Sequence, residues 1–501
     1  MSSIKKLAGQ TLWYGLSSIA ARFINYILTP IITYSAIIKP ADYGIMSSAY
    51  AAIPILNIVF TYGMETAYFR FIQKKETEER VNNTATISLL VTSILLTILL
   101  WMNQRFLGKA ASLEDYPLLV QLSIIIIGLD ALSAIPFARL RNEGRPKLFA
   151  FIKVVGILIN IAVTVFFISY CPAKLKSSPN SWIILVYKTD INPITYILIA
   201  NLIQSAFTLL LLSRWMFPRE WKFDLRIWKE MMVYALPMLI VGMGGMVNET
   251  FDRLMLGWWL PGSEEYVHEQ IGIYSACYKL SILISLFIQA FRMGAEPFFF
   301  KQAEGQNAQR TYARVMKFFV LTIALMFLVV SLYLPVLRYF IKDTYWQGLG
   351  VVPVLLLANM SLGIYYNLSV WYKVTNKVMA GAVITLTGTA ITFIINRLFI
   401  PQFSYVACAW ATFACYVSMM VFSFVWGQKR YYVPYAWKKL LAYLLICVVL
   451  FFIQKGISQL VGNLYVNLAS ATLLILAFLY FITRVERKEF QQLPFVGKFI
   501  R

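Results

Sequence analysis

The residues in this sequence best suited to binding or catalysis are charged side chains inside long apolar runs. An ionised group at mid-bilayer costs about 2.5–3.5 kcal/mol on insertion scales, so it must pair with an opposite charge, reach the interface, or face water. Arg22 and Lys279 have no acid three or four residues away on the same predicted helix. We therefore expect both cations to line a wet cavity and bind an anionic ligand.

Other embedded charges have neighbours at helical spacing. Glu249 lies four residues before Arg253, with Asp252 beside it, and Arg292 lies four residues before Glu296. Each set is compatible with a local ion pair or with a role in the anion site. The predicted substrate-binding residues are five cations: Arg22, Lys279, Arg292, Arg253 and Arg70. The predicted ion-coupling or charge-partner residues are five acids: Glu65, Asp130, Glu249, Asp252 and Glu296.

Asp130 is an unpaired acid in the fourth predicted span, which makes it a competing partner for the two unpaired cations. Lys153 is a further cation on the fifth span. The sequence does not decide whether Glu65, Asp130 or Glu249 binds a proton or a sodium ion. Because Arg292 lies thirteen residues after Lys279, the two side chains face different sides of a straight helix.

Motifs for catalysis or metal binding do not accompany these charges. We find no metal-ligand spacing, no nucleophile–base set and no phosphate-binding glycine loop. The five cysteines are expected to be small membrane hydrophobes, and the single histidine, His268, is expected in a polar loop. An enzyme, a cofactor and direct ATP drive are therefore not expected.

Apolar runs long enough to cross a bilayer must position these charges. Of the 501 residues, 59% are hydrophobic and 14% are charged. A spanning helix needs about 20 mainly apolar residues, and helices satisfy their own backbone polar groups in lipid. The sequence predicts an all-α polytopic membrane protein with about 14 spans. Their predicted ranges are 9–35, 42–72, 82–104, 116–139, 148–170, 192–213, 230–258, 271–299, 313–336, 347–371, 379–400, 404–427, 438–454 and 463–483.

The distribution of basic residues gives an orientation. The net charge is +22, but the basic residues lie in short loops between apolar runs, so no nucleic-acid partner is expected. Most of the 45 Lys and Arg residues fall in alternate loops, which the positive-inside rule places in the cytoplasm together with both termini. The basic tail, 484–501, fits equally well a position on the anionic inner leaflet or a solvated segment.

Two pairs of related segments indicate an internal repeat. GIMSSAY at 44–50 resembles GIYSACY at 272–278, and GME at 63–65 keeps nearly the same spacing from GAE at 294–296. Because each half holds six spans, the two halves have the same orientation in the membrane. The predicted divisions are a first lobe with helices 1–6 (1–214), a second lobe with helices 7–12 (215–436), two additional helices (437–483) and the cytoplasmic tail (484–501).

Three segments carry a resemblance to a known family. LAGQTLWYGLSSIAARFINYILTPIIT at 7–33, ADYGIMSSAYAAIPILNIVFTYGMETAYFRF at 41–71 and INRLFIPQFSYVACAWATF at 395–413 resemble bacterial Wzx-type O-antigen and capsular polysaccharide flippases. These flippases belong to the MOP (MATE-like) exporter superfamily. The resemblance implies a two-lobed core whose central cavity opens alternately to each side of the bacterial inner membrane.

The same resemblance implies a cargo and its partners. Cationic cavity residues would hold the pyrophosphate of an undecaprenyl-linked oligosaccharide. The membrane potential would drive transport, with or without H⁺ or Na⁺ coupling. Membrane lipids and a glycan polymerase or glycosyltransferases of the same pathway are the expected partners. With the two additional helices, the chain resembles the fourteen-helix layout of lipid II flippases. Lipid II is therefore an alternative cargo.

The first span and the loop lengths argue against two further alternatives. An ion-coupled multidrug antiporter of the same superfamily should carry an acid in its first span, and this span has Arg22 and no acid. A membrane-bound glycan-processing enzyme should have large loops outside the cytoplasm, whereas the longest one here runs only from Cys171 to Ile191.

Overall fold

The described part of the chain consists of helices joined by turns and short loops. A computed structural model describes residues 23–491, apart from positions 25, 74, 180, 219, 304–306 and 376 and apart from some side chains within helices. No β-strand occurs in these residues. The predicted all-α class is therefore confirmed.

The helices before residue 260 include short pieces at the ends of long ones. They are α1 (Leu28–Thr33), α2 (Pro40–Thr61), α3 (Met64–Phe71), α4 (Glu78–Met102), α5 (Gln104–Ala110), α6 (Pro117–Asn142), α7 (Pro146–Val165), α8 (Cys171–Ser177), α9 (Pro193–Leu211), α10 (Ser213–Met216) and α11 (Leu225–Trp259). A π-helical turn at Phe166–Tyr170 joins α7 to α8. Two 3₁₀ turns lie at Lys75–Thr77 and Trp182–Leu185.

The helices after residue 260 begin with the longest one. They are α12 (Glu264–Gln302), α13 (Ala308–Leu332), α14 (Leu334–Leu337), α15 (Val352–Leu368), α16 (Val370–Val374), α17 (Val378–Phe403), α18 (Tyr405–Arg430), α19 (Trp437–Leu460), α20 (Leu464–Val485) and α21 (Arg487–Phe490). Two 3₁₀ segments lie at Arg338–Phe340 and Asp343–Val351.

Proline and polar caps explain where several long helices begin. Pro40, Pro117 and Pro146 are each the first residue of a helix, where a fixed φ is favourable and the missing N–H would have had no partner. The side chain of Asn192 accepts a hydrogen bond from the main-chain N of Ile194 at 2.9 Å, which caps the N-terminus of α9.

Thirteen helical segments of the described residues are long and apolar enough to cross a membrane. They correspond to the second to fourteenth predicted spans. The first predicted span, 9–35, lies mostly outside the described residues, which include 23, 24 and 26–35 of it, with α1. The protein is therefore a multi-pass membrane protein with the predicted arrangement of spans in this part of the chain.

The second predicted span contains a break that the sequence analysis did not anticipate. Tyr62 and Gly63 separate α2 from α3, with φ values of 36° and 75°. A Cβ atom on Gly63 would lie 2.6 Å from the main-chain oxygen of Ala235, so α11 packs against the bare backbone there. Both the left-handed φ and the close approach require glycine at this position.

Two compact units can be described separately. The first comprises the described residues up to Lys279 together with Met379–Cys415. In it α6 packs against α4, α7 and α9, and α2 packs against α11. The second comprises Leu280–Val378 and the described residues from Tyr416 onward, with α13 packed against α15, α19 and α20. The predicted lobe boundaries stay a prediction.

Candidate functional site

Lys279 is the embedded cation for which the described structure offers no direct partner. It lies on α12 and is partly buried. It makes no hydrogen bond and no ion pair with the described residues, and the charge that acts on it electrostatically is another cation, Arg253. A buried cation that no described acid compensates favours an anion.

Arg253 differs from Lys279 because its charge is compensated. Its Nη1 donates to Asp252 Oδ1 at 2.8 Å and to the main-chain oxygen of Glu249 at 2.9 Å. The second carboxylate oxygen of Asp252 accepts a hydrogen bond from the hydroxyl of Tyr274 at 2.5 Å. The guanidinium also lies 4.4 Å from the ring centre of Tyr278. This set is neutral overall and is buried in the first unit.

The local pairing expected for Glu249 differs in the structure. Arg253 uses the carboxylate of the adjacent Asp252 as its ion-pair partner, while the exposed Glu249 contributes only its main-chain oxygen. The reason is tertiary, since Tyr274 of α12 donates to Asp252 and fixes that carboxylate in the interior. Glu249 stays a candidate ion-coupling residue without a described role.

The remaining predicted cations are placed apart from Lys279. Arg292 belongs to the second unit, where its guanidinium lies 3.8 Å from the ring centre of Tyr366. Arg70 is exposed at the end of α3 and lies 4.2 Å from the ring centre of Tyr234. Arg22 and the side chain of Glu296 lie outside the described residues, so their predicted roles are untested.

Glu65 forms an ion pair with Arg141 at the ends of α3 and α6. The guanidinium of Arg141 also lies 4.7 Å from the ring centre of Phe69. Glu65 is thus a charge partner in the structure, and its predicted role in ion coupling stays a prediction.

Asp130 lies in a polar cluster of the first unit and pairs with neither Lys279 nor Arg253. The hydroxyl of Ser205 donates to Asp130 Oδ1 at 2.7 Å, and Lys153 acts on this carboxylate electrostatically. One helical turn before Ser205 on α9, Asn201 accepts from Asn160 at 2.9 Å and donates to the hydroxyl of Tyr50 at 2.7 Å. Five neutral or acidic oxygen-bearing side chains from α2, α6, α7 and α9 therefore share this region.

The sequence of the chain matches a known protein family. The sequence model described as "Polysaccharide biosynthesis protein" matches residues 7–303 of the chain, which is more than half of it. The chain belongs to this family. Comparison with curated protein sequences gives no match.

Solved structures share the fold of this polysaccharide biosynthesis protein. The lipid II flippase MurJ in an inward closed conformation has a TM-score of 0.65 at 12% identity, covering 94% of this chain and 98% of that chain. A multidrug resistance MATE family transporter of the MOP superfamily, inward-facing, has a TM-score of 0.58 at 15% identity, covering 84% and 94%. An outward-facing MATE structure gives 0.56 at 13%, covering 84% and 93%.

Structural similarity at such low sequence identity is evidence for the fold and not for the function. They confirm the predicted MOP-type helical architecture, and the family match confirms the resemblance stated from the sequence.

Sequence reasoning missed the neutral members of the site in this polysaccharide biosynthesis protein. Tyr274, Tyr278 and Ser205 contact the predicted charges, yet hydroxyl groups in apolar runs are too common to single out. One signal was present: Asn201 and Ser205 are four residues apart and share a helix face. Two polar residues on one face of a spanning helix indicate a polar neighbour.

A cavity among the described residues lies away from Lys279. It has a volume of about 1030 Å³ and is lined by the ends of α3, α4, α6 and α10. Its three arginines are Arg139, Arg145 and Arg214, and three glutamates face the same space. Arg139 is occupied by the main-chain oxygens of Trp215 and Phe217 at 2.8 and 3.2 Å. Because the charges balance, this cavity does not favour an anion as the Lys279 region does.

Proposed function

We propose that this polysaccharide biosynthesis protein is a flippase for an undecaprenyl-pyrophosphate-linked oligosaccharide. It moves the head group from the cytoplasmic to the periplasmic leaflet of the bacterial inner membrane by alternating access, for O-antigen or capsule synthesis. Both termini would lie in the cytoplasm, as the loop charges indicate. The observation that carries the proposal is Lys279, a membrane-embedded cation that has no direct partner among the described residues and lies near an already neutralised arginine.

The chemistry of the site favours a phosphate-bearing head group. Hydrogen bonds between cationic groups and phosphate oxygens are roughly twice as strong as neutral ones, so they can replace water that the pyrophosphate loses on entry. Lys279 supplies the uncompensated charge, and Arg253 is held in place by Asp252 and Tyr274 before the ligand arrives. Arg22, Arg292 and Arg70 are proposed as further contacts along the path.

The membrane potential supplies a direction. Moving one charge across 100 mV is worth about 2.3 kcal/mol. Because the cytoplasm is negative, outward movement of an anionic head group is downhill, and so is the return of an empty cationic site.

Ion coupling is a second part of the proposal. Asp130, with Ser205, Asn201 and Tyr50 close by, offers oxygen atoms suited to a proton or to Na⁺. We expect Asp130→Asn to abolish the dependence of transport on an imposed ion gradient while transport driven by voltage persists. The measurement is flipping in proteoliposomes with a proton gradient, a sodium gradient or a potential alone; equal gradient dependence in Asp130→Asn and wild type would contradict this part.

The main test removes the uncompensated cation. Lys279→Ala should reduce flipping of lipid-linked oligosaccharide by at least tenfold, and Lys279→Arg should retain part of it, since the positive charge is kept. Cells that lack the gene should accumulate the oligosaccharide in the cytoplasmic leaflet, which is measured by extracting lipid-linked intermediates from intact and opened cells.

The matched control is Lys229→Ala, which removes an exposed lysine near the start of α11 and should leave flipping unchanged. Full activity of Lys279→Ala would contradict the proposed site. Unchanged lipid-linked intermediates with altered drug tolerance would favour the multidrug antiporter instead.

The fold favours one second candidate function. The similarity to the fold of a lipid II flippase covers 94% of this chain, and α19 and α20 follow the predicted twelve-helix core. A peptidoglycan precursor also carries an undecaprenyl pyrophosphate, so the Lys279 site would suit it equally. Rescue of cells depleted of their own lipid II flippase would establish that cargo, and failure of rescue with restored polysaccharide would exclude it. A polymerase or glycosyltransferase partner stays part of the proposal.

A further inference from the structure

The two glycines that begin the repeated heptapeptides touch each other. Gly44 lies near the start of α2 and Gly272 near the start of α12, and both belong to the first unit. A Cβ atom built on Gly44 would overlap the main-chain oxygen of His268 and lie 3.0 Å from the main-chain N of Gly272. A Cβ atom on Gly272 would overlap the main-chain oxygen of Pro40 and lie 3.0 Å from the main-chain N of Gly44.

This contact is reciprocal. Gly44 meets the residue four positions before Gly272, and Gly272 meets the residue four positions before Gly44. Such a pattern, in which i contacts j and j contacts i, is the signature of a two-fold axis through the contact. The repeated segments are therefore related in space as well as in sequence, and the local axis passes between these two glycines.

The crossing is closer than side chains usually permit. Helices normally pack with their axes 8–10 Å apart, depending on the side chains between them, and small residues allow a closer approach in membranes. Here backbone meets backbone, so a single methyl group at either position must push the helices apart. His268 was expected in a polar loop; it lies instead within α12, buried at this crossing.

The space just below the crossing is sealed. Tyr43 of α2 and Cys277 of α12 are both almost completely buried. The Cys277 thiol is close enough to the hydroxyls of Tyr43 and Tyr405 for electrostatic interaction. If α2 and α12 separated at the glycines, Cys277 would be among the first side chains exposed to water.

We propose that the Gly44–Gly272 crossing is a latch that closes the pathway on the extracytoplasmic side. The loop charges place the starts of α2 and α12 on that side. The inference rests on the proposed alternating access: the latch is shut while the cargo loads from the cytoplasm and parts when the head group leaves. Glycine is needed at both positions because the shut state requires contact between the two backbones.

The test uses Cys277 as a reporter of latch opening. The other four cysteines, Cys171, Cys408, Cys415 and Cys447, are replaced by alanine, and intact cells are treated with a membrane-impermeant maleimide. Gly44→Ala and Gly272→Ala should each raise the labelling rate of Cys277 by roughly tenfold, because overpacking destabilises the shut state. Gly245→Ala is the matched control, since a Cβ atom there meets nothing within 4 Å.

The double variant separates a latch from general damage. Because both methyl groups would occupy the same gap, Gly44→Ala with Gly272→Ala should label little faster than either single variant. If the labelling rate of the double variant rose by the product of the two single-variant factors, the two defects would be independent. That result would overturn the latch. A parallel protein that keeps only Cys447, which is buried in the second unit, should label slowly in every variant, and an equal rise there would also overturn the latch.

A measurement without glycine substitutions completes the test. With both glycines present, Cys277 should label faster in cells that supply lipid-linked oligosaccharide than in cells that do not, because each cycle opens the latch. Unchanged labelling of Cys277 in the alanine variants contradicts the latch whatever the transport activity. Full flipping activity of Lys279→Ala, together with faster labelling of Cys277 in the alanine variants, would contradict the proposed site alone, so the two failures are distinguishable.

Discussion

Two regions of this protein bury charge in opposite ways. At the end of α20, the carboxylate of Glu486 accepts hydrogen bonds from Lys439 at 2.7 Å, from the Tyr443 hydroxyl at 2.6 Å and from Lys317 at 3.2 Å. Near the middle of α12, Lys279 has no direct partner among the described residues.

The difference separates charges that hold helices together from charges available to a ligand. Glu486 joins α13, α19 and α20 within the second unit, and Glu489 adds contacts to Arg314 and Lys317 at 2.8 and 3.1 Å. A fully paired network rigidifies the helices that it joins. Lys279 makes no comparable contact with the described residues, and this difference is the basis of its proposed role in ligand binding.

Removing a compensated cation should have the largest effect on stability. Arg253→Ala leaves the buried carboxylate of Asp252 without its counter-ion, and breaking such a pair costs about 3–5 kcal/mol. We expect a large drop in the melting temperature of the purified protein in detergent. Arg226→Ala, at an arginine with a side chain 91% exposed, should change it little.

The paired double variant sharpens this expectation. Replacing Asp252 by Asn together with Arg253 by Gln removes both charges, so much of the lost stability should return. A double variant no more stable than Arg253→Ala would mean that the pair acts through packing and not through charge.

A smaller effect is expected at Glu486. Burial opposes its ionisation, but hydrogen bonds from Lys439, Tyr443 and Lys317 outweigh burial and lower its pKa from the usual 4.5. Glu486→Gln should cost roughly 1–3 kcal/mol at neutral pH, because a charged hydrogen-bond acceptor is lost. The exposed pair of Glu220 with Lys222 offers the control Glu220→Gln, for which no measurable change is expected.

The pH dependence of this stabilisation follows from the direction of the shift. A carboxylate with a lowered folded-state pKa stabilises the protein fully above its unfolded-state pKa and loses this contribution as pH falls through the folded-state value. The melting-temperature difference between wild type and Glu486→Gln should therefore be constant above about pH 5 and shrink below about pH 4.5. A difference that grew on acidification would refute the ionic origin.

The smallest effect on stability is expected at Lys279. Lys279→Met removes an embedded charge that no described residue compensates, so the melting temperature should stay the same or rise, even though flipping is lost. A fall comparable to that of Arg253→Ala would show that Lys279 has a structural partner, and the contrast between the two regions would disappear.

Much of the fold could be predicted from the sequence because lipid imposes a simple rule. Spans of about 20 apolar residues satisfy their own backbone, so thirteen of the fourteen predicted ranges appear as helices in the described residues. The predicted repeat at Gly44 and Gly272 also marked two positions that meet in space.

The partners of the embedded charges could not be predicted in the same way. Helical spacing pointed from Arg253 to Glu249, because adjacent residues do not normally face each other on a helix. The structure pairs Arg253 with Asp252 instead, since Tyr274 from another helix holds that carboxylate in the interior. Likewise, Asp130 was a predicted competing partner for Arg22 and Lys279. It is hydrogen-bonded to Ser205 and does not pair with Lys279, and Arg22 lies outside the described residues.

The sequence alone determined the helical membrane class, the positions of the spans, the family resemblance and which charges had to be explained. Hydrophobicity and charge act residue by residue along a helix, so these properties can be predicted from the sequence alone. The tertiary structure decided which charges are compensated, where Gly63 breaks a span and how closely α2 and α12 cross. Those properties depend on which side chains neighbouring helices present to each other, and a single polar or absent side chain changes the outcome.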